Sequence, residues 1–70
     1  MTCEGQACSV VAIYWDSEVS AYRVKNSSER TVLIVLTSSS GTVSVEVGPQ
    51  GDAVVPIAQF DLPYQASYLA

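Results

Sequence analysis

The sequence predicts a small all-β protein, an antiparallel sandwich or partly open barrel of five or six strands. Two observations carry this expectation. Eleven Val, three Ile and four Thr stand among 70 residues, and these side chains are stiff at χ1 and suit a pleated surface better than a helix. Turn signals also recur roughly every eight to twelve residues, the spacing of a small sandwich or barrel. A chain of this length supports one domain, residues 1–70. So small a domain leaves much of its surface in water, so a staple is expected: a disulfide, a structural metal or a second copy.

The first strand is expected from Cys8 to Trp15, with Val11, Ile13 and Trp15 on one face and Val10, Ala12 and Tyr14 on the other. Asp16-Ser17-Glu18 supplies a polar turn. The second strand, Val19 to Lys25, sets Ser20, Tyr22 and Val24 against Arg23 and Lys25, so one face is wet. Asn26 to Arg30 reads as a turn, because Asn and Ser hydrogen-bond their own backbone. Thr31 to Thr37 holds the unbroken apolar run Val32 to Leu36, the pattern of a central strand covered on both faces. After Ser38-Ser39-Ser40-Gly41, the fourth strand turns Val43, Val45 and Val47 inward and Thr42, Ser44 and Glu46 outward. Gly48-Pro49-Gln50-Gly51 is a turn with Pro at its second position. The fifth strand, Asp52 to Ala58, contains Pro56 and is expected at an edge. Phe60, Leu62, Tyr64, Ala66, Tyr68 and Ala70 alternate, which predicts a sixth strand. Pro63 places that strand at an edge too.

Composition narrows the function classes. The net charge is −4 and the only basic cluster, Arg23, Lys25 and Arg30, contains Glu29. This speaks against a nucleic-acid partner, which requires clustered Lys and Arg. It also speaks against an anionic lipid surface. The longest apolar run is far short of the roughly 20 residues that span a bilayer. The N-terminal stretch has no Lys or Arg and carries Glu4, unlike a secretory signal, so the cytoplasm is favoured if Met1 is the natural start. Asn26-Ser27-Ser28 fits a glycosylation sequon, but without a signal Asn26 reads as a turn residue. Only 14% of residues are charged while 49% are apolar. Against a usual charged share of about 25%, this shortage of polar coating predicts that a second copy covers part of the surface.

No His occurs, which removes the usual general base, the commonest metal ligand and any Ser-His or Cys-His pair. The four Gly stand at 5, 41, 48 and 51, with no phosphate-cradling spacing. Asp16 and Glu18 are near each other but sit in a turn, where solvated acids are ordinary. Cys3 and Cys8 are the remaining chemical candidates, with Gly5 between them to let the chain bend. Three readings stand open: a disulfide, half of a zinc site shared by two chains, or two free thiols. The aromatic and apolar interface candidates are Tyr14, Trp15, Phe60, Leu62, Tyr64 and Tyr68, since Tyr and Trp are enriched in binding surfaces. Tyr14 and Trp15 point to opposite faces of one strand, so at least one ring must leave the main core.

Tyr22 to Ser28, then Val32 to Leu36, then Val47-Gly48-Pro49 resembles the arrangement of small immunoglobulin-like sandwiches: a strand ending in Asn-Ser, a buried strand and a Pro/Gly turn. The likeness spans about half the chain. The chain is shorter than the usual length of about 100 residues and lacks the Cys-Trp-Cys spacing, so no family is claimed. The expected role is non-enzymatic: a protein-interaction or structural module that forms a homo-oligomer and needs no cofactor. The alternative is a thiol- or zinc-linked regulatory module built on Cys3 and Cys8.

Overall fold

The structure, a computed structural model, describes residues 3–69. Met1 and Ala70, the latter closing the expected C-terminal alternation, lie outside that range. In chain order the strands are β1 (Cys3–Glu4), β2 (Val11–Asp16), β3 (Ala21–Asn26), β4 (Val32–Ser38), β5 (Gly41–Val47), β6 (Asp52–Val55) and β7 (Tyr64–Tyr68). A single 3-10 turn covers Cys8–Val10. The strands form two sheets, in the orders β1-β7-β4-β5 and β2-β3-β6. The sheets pack face to face, so the fold is all-β and sandwich-like. No helix among the described residues is long and apolar enough to cross a membrane.

Period-2 alternation fixes which side of each sheet is buried. On the first sheet, Val32, Ile34 and Leu36 of β4 are buried. Val32 stands opposite Val47 and Tyr68, Ile34 opposite Val45 and Ala66, and Leu36 opposite Val43. The second sheet answers with Val11, Val24 and Val55, all in the same core cluster. The other face of β4 differs from expectation. Leu33 and Val35 are only half-buried, because Ser44, Glu46, Gln65 and Ser67 flank them across the ladder and no layer among the described residues covers that side.

Several boundaries are corrected. The first strand begins at Val11, since Cys8–Val10 is wound into the 3-10 turn. The second begins at Ala21, leaving Val19 exposed in the turn. The edge strand β6 stops at Val55, before Pro56, whose missing donor ends the ladder. The last strand starts at Tyr64. Pro63, joined to Leu62 by a cis bond, therefore lies ahead of the ladder, and β7 is an interior strand between β1 and β4. The sandwich is not wholly antiparallel: the two-residue β1 pairs parallel with β7, Cys3 beside Tyr64 and Glu4 beside Gln65. Gly5 makes this approach possible. It takes φ +118°, and a Cβ there would collide with the Ala66 carbonyl.

Asn26 is a further correction. It is the last residue of β3 and fully buried. Its Nδ2 donates to the carbonyls of Arg30 at 2.7 Å, Gly48 at 3.0 Å and Val47 at 3.2 Å. Its Oδ1 accepts from Ser28 N–H at 2.9 Å and the Ser28 hydroxyl at 2.7 Å. The side chain therefore ties the end of β3 to the end of β5 in the opposite sheet. With its amide nitrogen so occupied, the folded protein offers no glycosylation acceptor at this sequon.

Candidate functional site

The hairpin between β2 and β3 places Trp15 directly opposite Tyr22. The two rings meet edge-to-face, with centroids 5.2 Å apart. Tyr22 in turn meets Phe60 at 4.9 Å, and Phe60 meets Tyr64 at 5.9 Å, again edge-to-face. Edge-to-face contacts set the positive ring edge against the negative face, and each adds about 0.5–1.5 kcal/mol beyond area burial. The result is a continuous aromatic strip crossing from the second sheet to the first at one end of the sandwich. Tyr22, Phe60 and Tyr64 are half-buried, whereas Trp15 keeps 47% of its surface exposed. Burial raises the Tyr64 phenol above its ordinary pKa, because the phenolate would lose solvation.

Of the six interface candidates, the strip unites Trp15, Phe60 and Tyr64. Leu62, in the segment joining Phe60 to Tyr64, is 58% exposed; it does not share the buried phase of its neighbours. Tyr14 lies on the outer face of the second sheet, across from Arg23. Tyr68 sits at the opposite end of the sandwich, where the Arg30 guanidinium stacks 4.3 Å from its ring centroid. Tyr22 is the member absent from that candidate set. The expected turn at Asp16-Ser17-Glu18 hid its place: the turn runs from Ser17 to Ser20, and that shift sets Tyr22 opposite Trp15.

Cys3 and Cys8 are joined in a disulfide, with their Cα atoms 5.9 Å apart. Bridged sulfurs are not thiolates and do not ligate metal in this form. The bridge closes the N-terminal arm against β7, where the Ala7 N–H donates to the Ala66 carbonyl at 3.1 Å. A shallow groove of about 190 Å³ beside the arm is lined by Glu4, Gly5, Gln65, Ala66 and Ser67. Its lining carries the Ser67 hydroxyl and the Glu4 carboxylate but no thiol and no imidazole.

The Asp16 and Glu18 side chains do not form a paired site. Asp16 Oδ1 accepts from the Glu18 main-chain N–H at 3.0 Å, and Oδ2 accepts from Arg23 Nε at 3.1 Å. The Glu18 N–H and the Arg23 guanidinium hold the Asp16 carboxyl below its ordinary range. A general acid needs the opposite shift. Arg23, its own pKa raised chiefly by Asp16, also reaches Asp52 at 3.5 Å, so the cluster joins β2, β3 and β6 across their outer face.

No family model, curated protein or solved structure matches the chain.

Proposed function

We propose that the chain is a non-enzymatic protein-interaction module that self-associates and presents the open end of its aromatic strip to a protein partner. One observation carries this reading: Trp15 is fixed by the ring series behind it, yet almost half of its surface faces solvent. An aromatic side chain held in place before binding loses little entropy on contact, which is what an interface anchor requires. Leu62 adds exposed apolar area on the segment between Phe60 and Tyr64. The net charge of −4 suits a partner with an apolar pocket and a basic rim. The Cys3–Cys8 bridge supports an oxidising compartment, against the cytoplasmic expectation drawn from the N-terminal residues.

Sedimentation equilibrium at micromolar concentration tests self-association: a mass above 7.4 kDa is expected, and a monomer at high concentration overturns it. Affinity capture from the native host, with the intact protein and with Trp15→Ala, tests the strip. A stoichiometric partner retained by the first and lost by the second is expected. Equal capture by both, with the variant folded, removes the strip from the account.

A further inference from the structure

We infer that the self-contact is made by β5, whose open edge pairs antiparallel with β5 of a second copy to join two four-stranded sheets across a two-fold axis. The inference rests on the self-association proposed above and names the surface that makes it. In an antiparallel ladder the main-chain groups of successive residues point alternately to the two sides. On β4 the Thr37 carbonyl points away from β5, where it accepts from Asp61 N–H. Leu33 and Val35 share that phase, and face Ser67 and Gln65 of β7. Their partners on β5 are Thr42, Ser44 and Glu46. The N–H and C=O of these three residues therefore point to the free edge of the sheet. None of these groups has a hydrogen-bond partner among the described residues.

Exposed edges are usually blunted by Lys, Pro, a bulge or a short strand. β5 has none of these. It runs seven residues in unbroken register with β4 from Gly41 to Val47, and Glu46 is its only charge. The opposite edge of the same sheet is closed: β1 is two residues long, and the disulfide-held arm occupies the rim of β7 through Ala7. A sheet with one open edge forms a closed pair and not a fibre.

The edge also selects its register. Outward-pointing groups must face one another, which an axis at any residue from Thr42 to Glu46 allows. An axis at Val43 leaves Glu46 opposite position 40, and an axis at Val45 leaves Thr42 opposite position 48, both beyond the partner strand. An axis through Glu46 sets two carboxylates face to face. An axis through Thr42 leaves Glu46 beyond the end of the partner strand. An axis through Ser44 pairs Thr42 with Glu46 twice and Ser44 with itself, using all six outward groups. The two Glu46 side chains then stand about 13 Å apart along the strand, beyond the screening length of about 8 Å. On the inner face the same register places Val43 against Val45, both only half-buried in one copy.

The test uses the intact oxidised protein with Ser44→Lys and Ser44→Pro, read by sedimentation and by amide exchange. Ser44 is exposed and its N–H is free, so neither change removes a bond within the chain, and Lys keeps the edge readable if Pro perturbs folding. The wild type is expected at twice the 7.4 kDa chain mass, and both variants at the chain mass. The amides of Thr42, Ser44 and Glu46 should gain protection as concentration rises, at least tenfold more than the amides of β2. A dimer that survives Ser44→Lys overturns the inference. If Trp15→Ala instead dissociates the dimer, the self-contact moves to the strip and the edge proposal fails while self-association stands. A wild-type monomer defeats both.

Discussion

Replacing Asn26 by Ala should remove most of the stability of the fold. Asn26 is fully buried and has two amide hydrogens and one carbonyl oxygen, all used. Three carbonyls share the amide hydrogens, and without them each has another donor: Gly51 N–H at Gly48, the β4 ladder at Val47, and at Arg30 the Ser28 hydroxyl that Asn26 Oδ1 releases. Full orphaning of these acceptors therefore does not apply. The loss is that of about four net hydrogen bonds, at about 1 kcal/mol each, or roughly 4 kcal/mol. A domain of this size has about 5 kcal/mol in total, so on the order of one variant molecule in six should be unfolded in water. Urea titration followed by Trp15 emission, the only indole in the chain, measures this directly. Asn26→Asp sharpens the test. A carboxylate is acceptor-only and would face three carbonyls, so at neutral pH this variant should be worse than Ala. Its carboxyl pKa is raised in the folded state, so its stability should rise as pH falls through that value. A loss below about 1 kcal/mol for Ala, or an Asp variant indifferent to acid, would refute the idea that Asn26 joins the sheets.

Other outcomes follow from single features. Cys3→Ser with Cys8→Ser should lower stability by about 2 kcal/mol in the chain-entropy model, because the bridged residues are only five apart; chemical denaturation of the oxidised and double-Ser proteins gives the difference. The depressed Asp16 carboxyl contributes stability above the unfolded value of about 3.9, and that contribution is lost as pH falls through its lower folded value. Asp16→Asn should flatten this acid limb of the melting temperature against pH. Deleting residues 59–70 removes β7, an interior strand carrying buried Ala66. Circular dichroism should then find no cooperative transition, and an unchanged melt would mean that the other strands fold without it.

The strands legible in the sequence are those whose side chains see one uniform environment per face. β5 alternates Val with Thr, Ser and Glu, and the structure keeps that phase residue for residue. The run Val32 to Leu36 located an interior strand, but hydrophobicity alone did not reveal that Leu33 and Val35 lack a covering layer. Two residues carry no period, so β1 was invisible; its place depends on Gly5, the disulfide and the Ala66 carbonyl, all tertiary. Alternation from Phe60 to Tyr68 runs through Pro63, but the ladder begins only at Tyr64, and residues ahead of it need not share its phase. Leu62 is exposed for that reason. Asn26 misled for a chemical reason. A short amide that bonds nearby Ser28 looks the same in sequence whether its remaining donors meet water or, as here, the distant Val47 and Gly48 carbonyls.

The two ends of the sandwich solve the same problem with different chemistry. A core made largely of Val, Ile and Ala is thin, so each end must join the sheets by something other than aliphatic packing. At one end the join is polar: Asn26 meets main-chain carbonyls, and its geometry is directional and saturated. Once its hydrogen bonds are made, the Asn26 side chain itself has no further donor or acceptor to offer. At the other end the join is aromatic: Trp15, Tyr22, Phe60 and Tyr64 meet edge-to-face. Aromatic contacts are not saturated by one neighbour, and Trp15, at the end of the series, keeps 47% of its surface exposed. The asymmetry favours the aromatic end as the proposed binding surface. It also separates the two proposed contacts. Edge pairing at Ser44 engages main-chain groups of the first sheet, whereas the exposed Trp15 belongs to the second sheet. A dimer joined at β5 therefore presents two aromatic ends, and a partner binding both should dissociate more slowly from wild type than from Ser44→Lys.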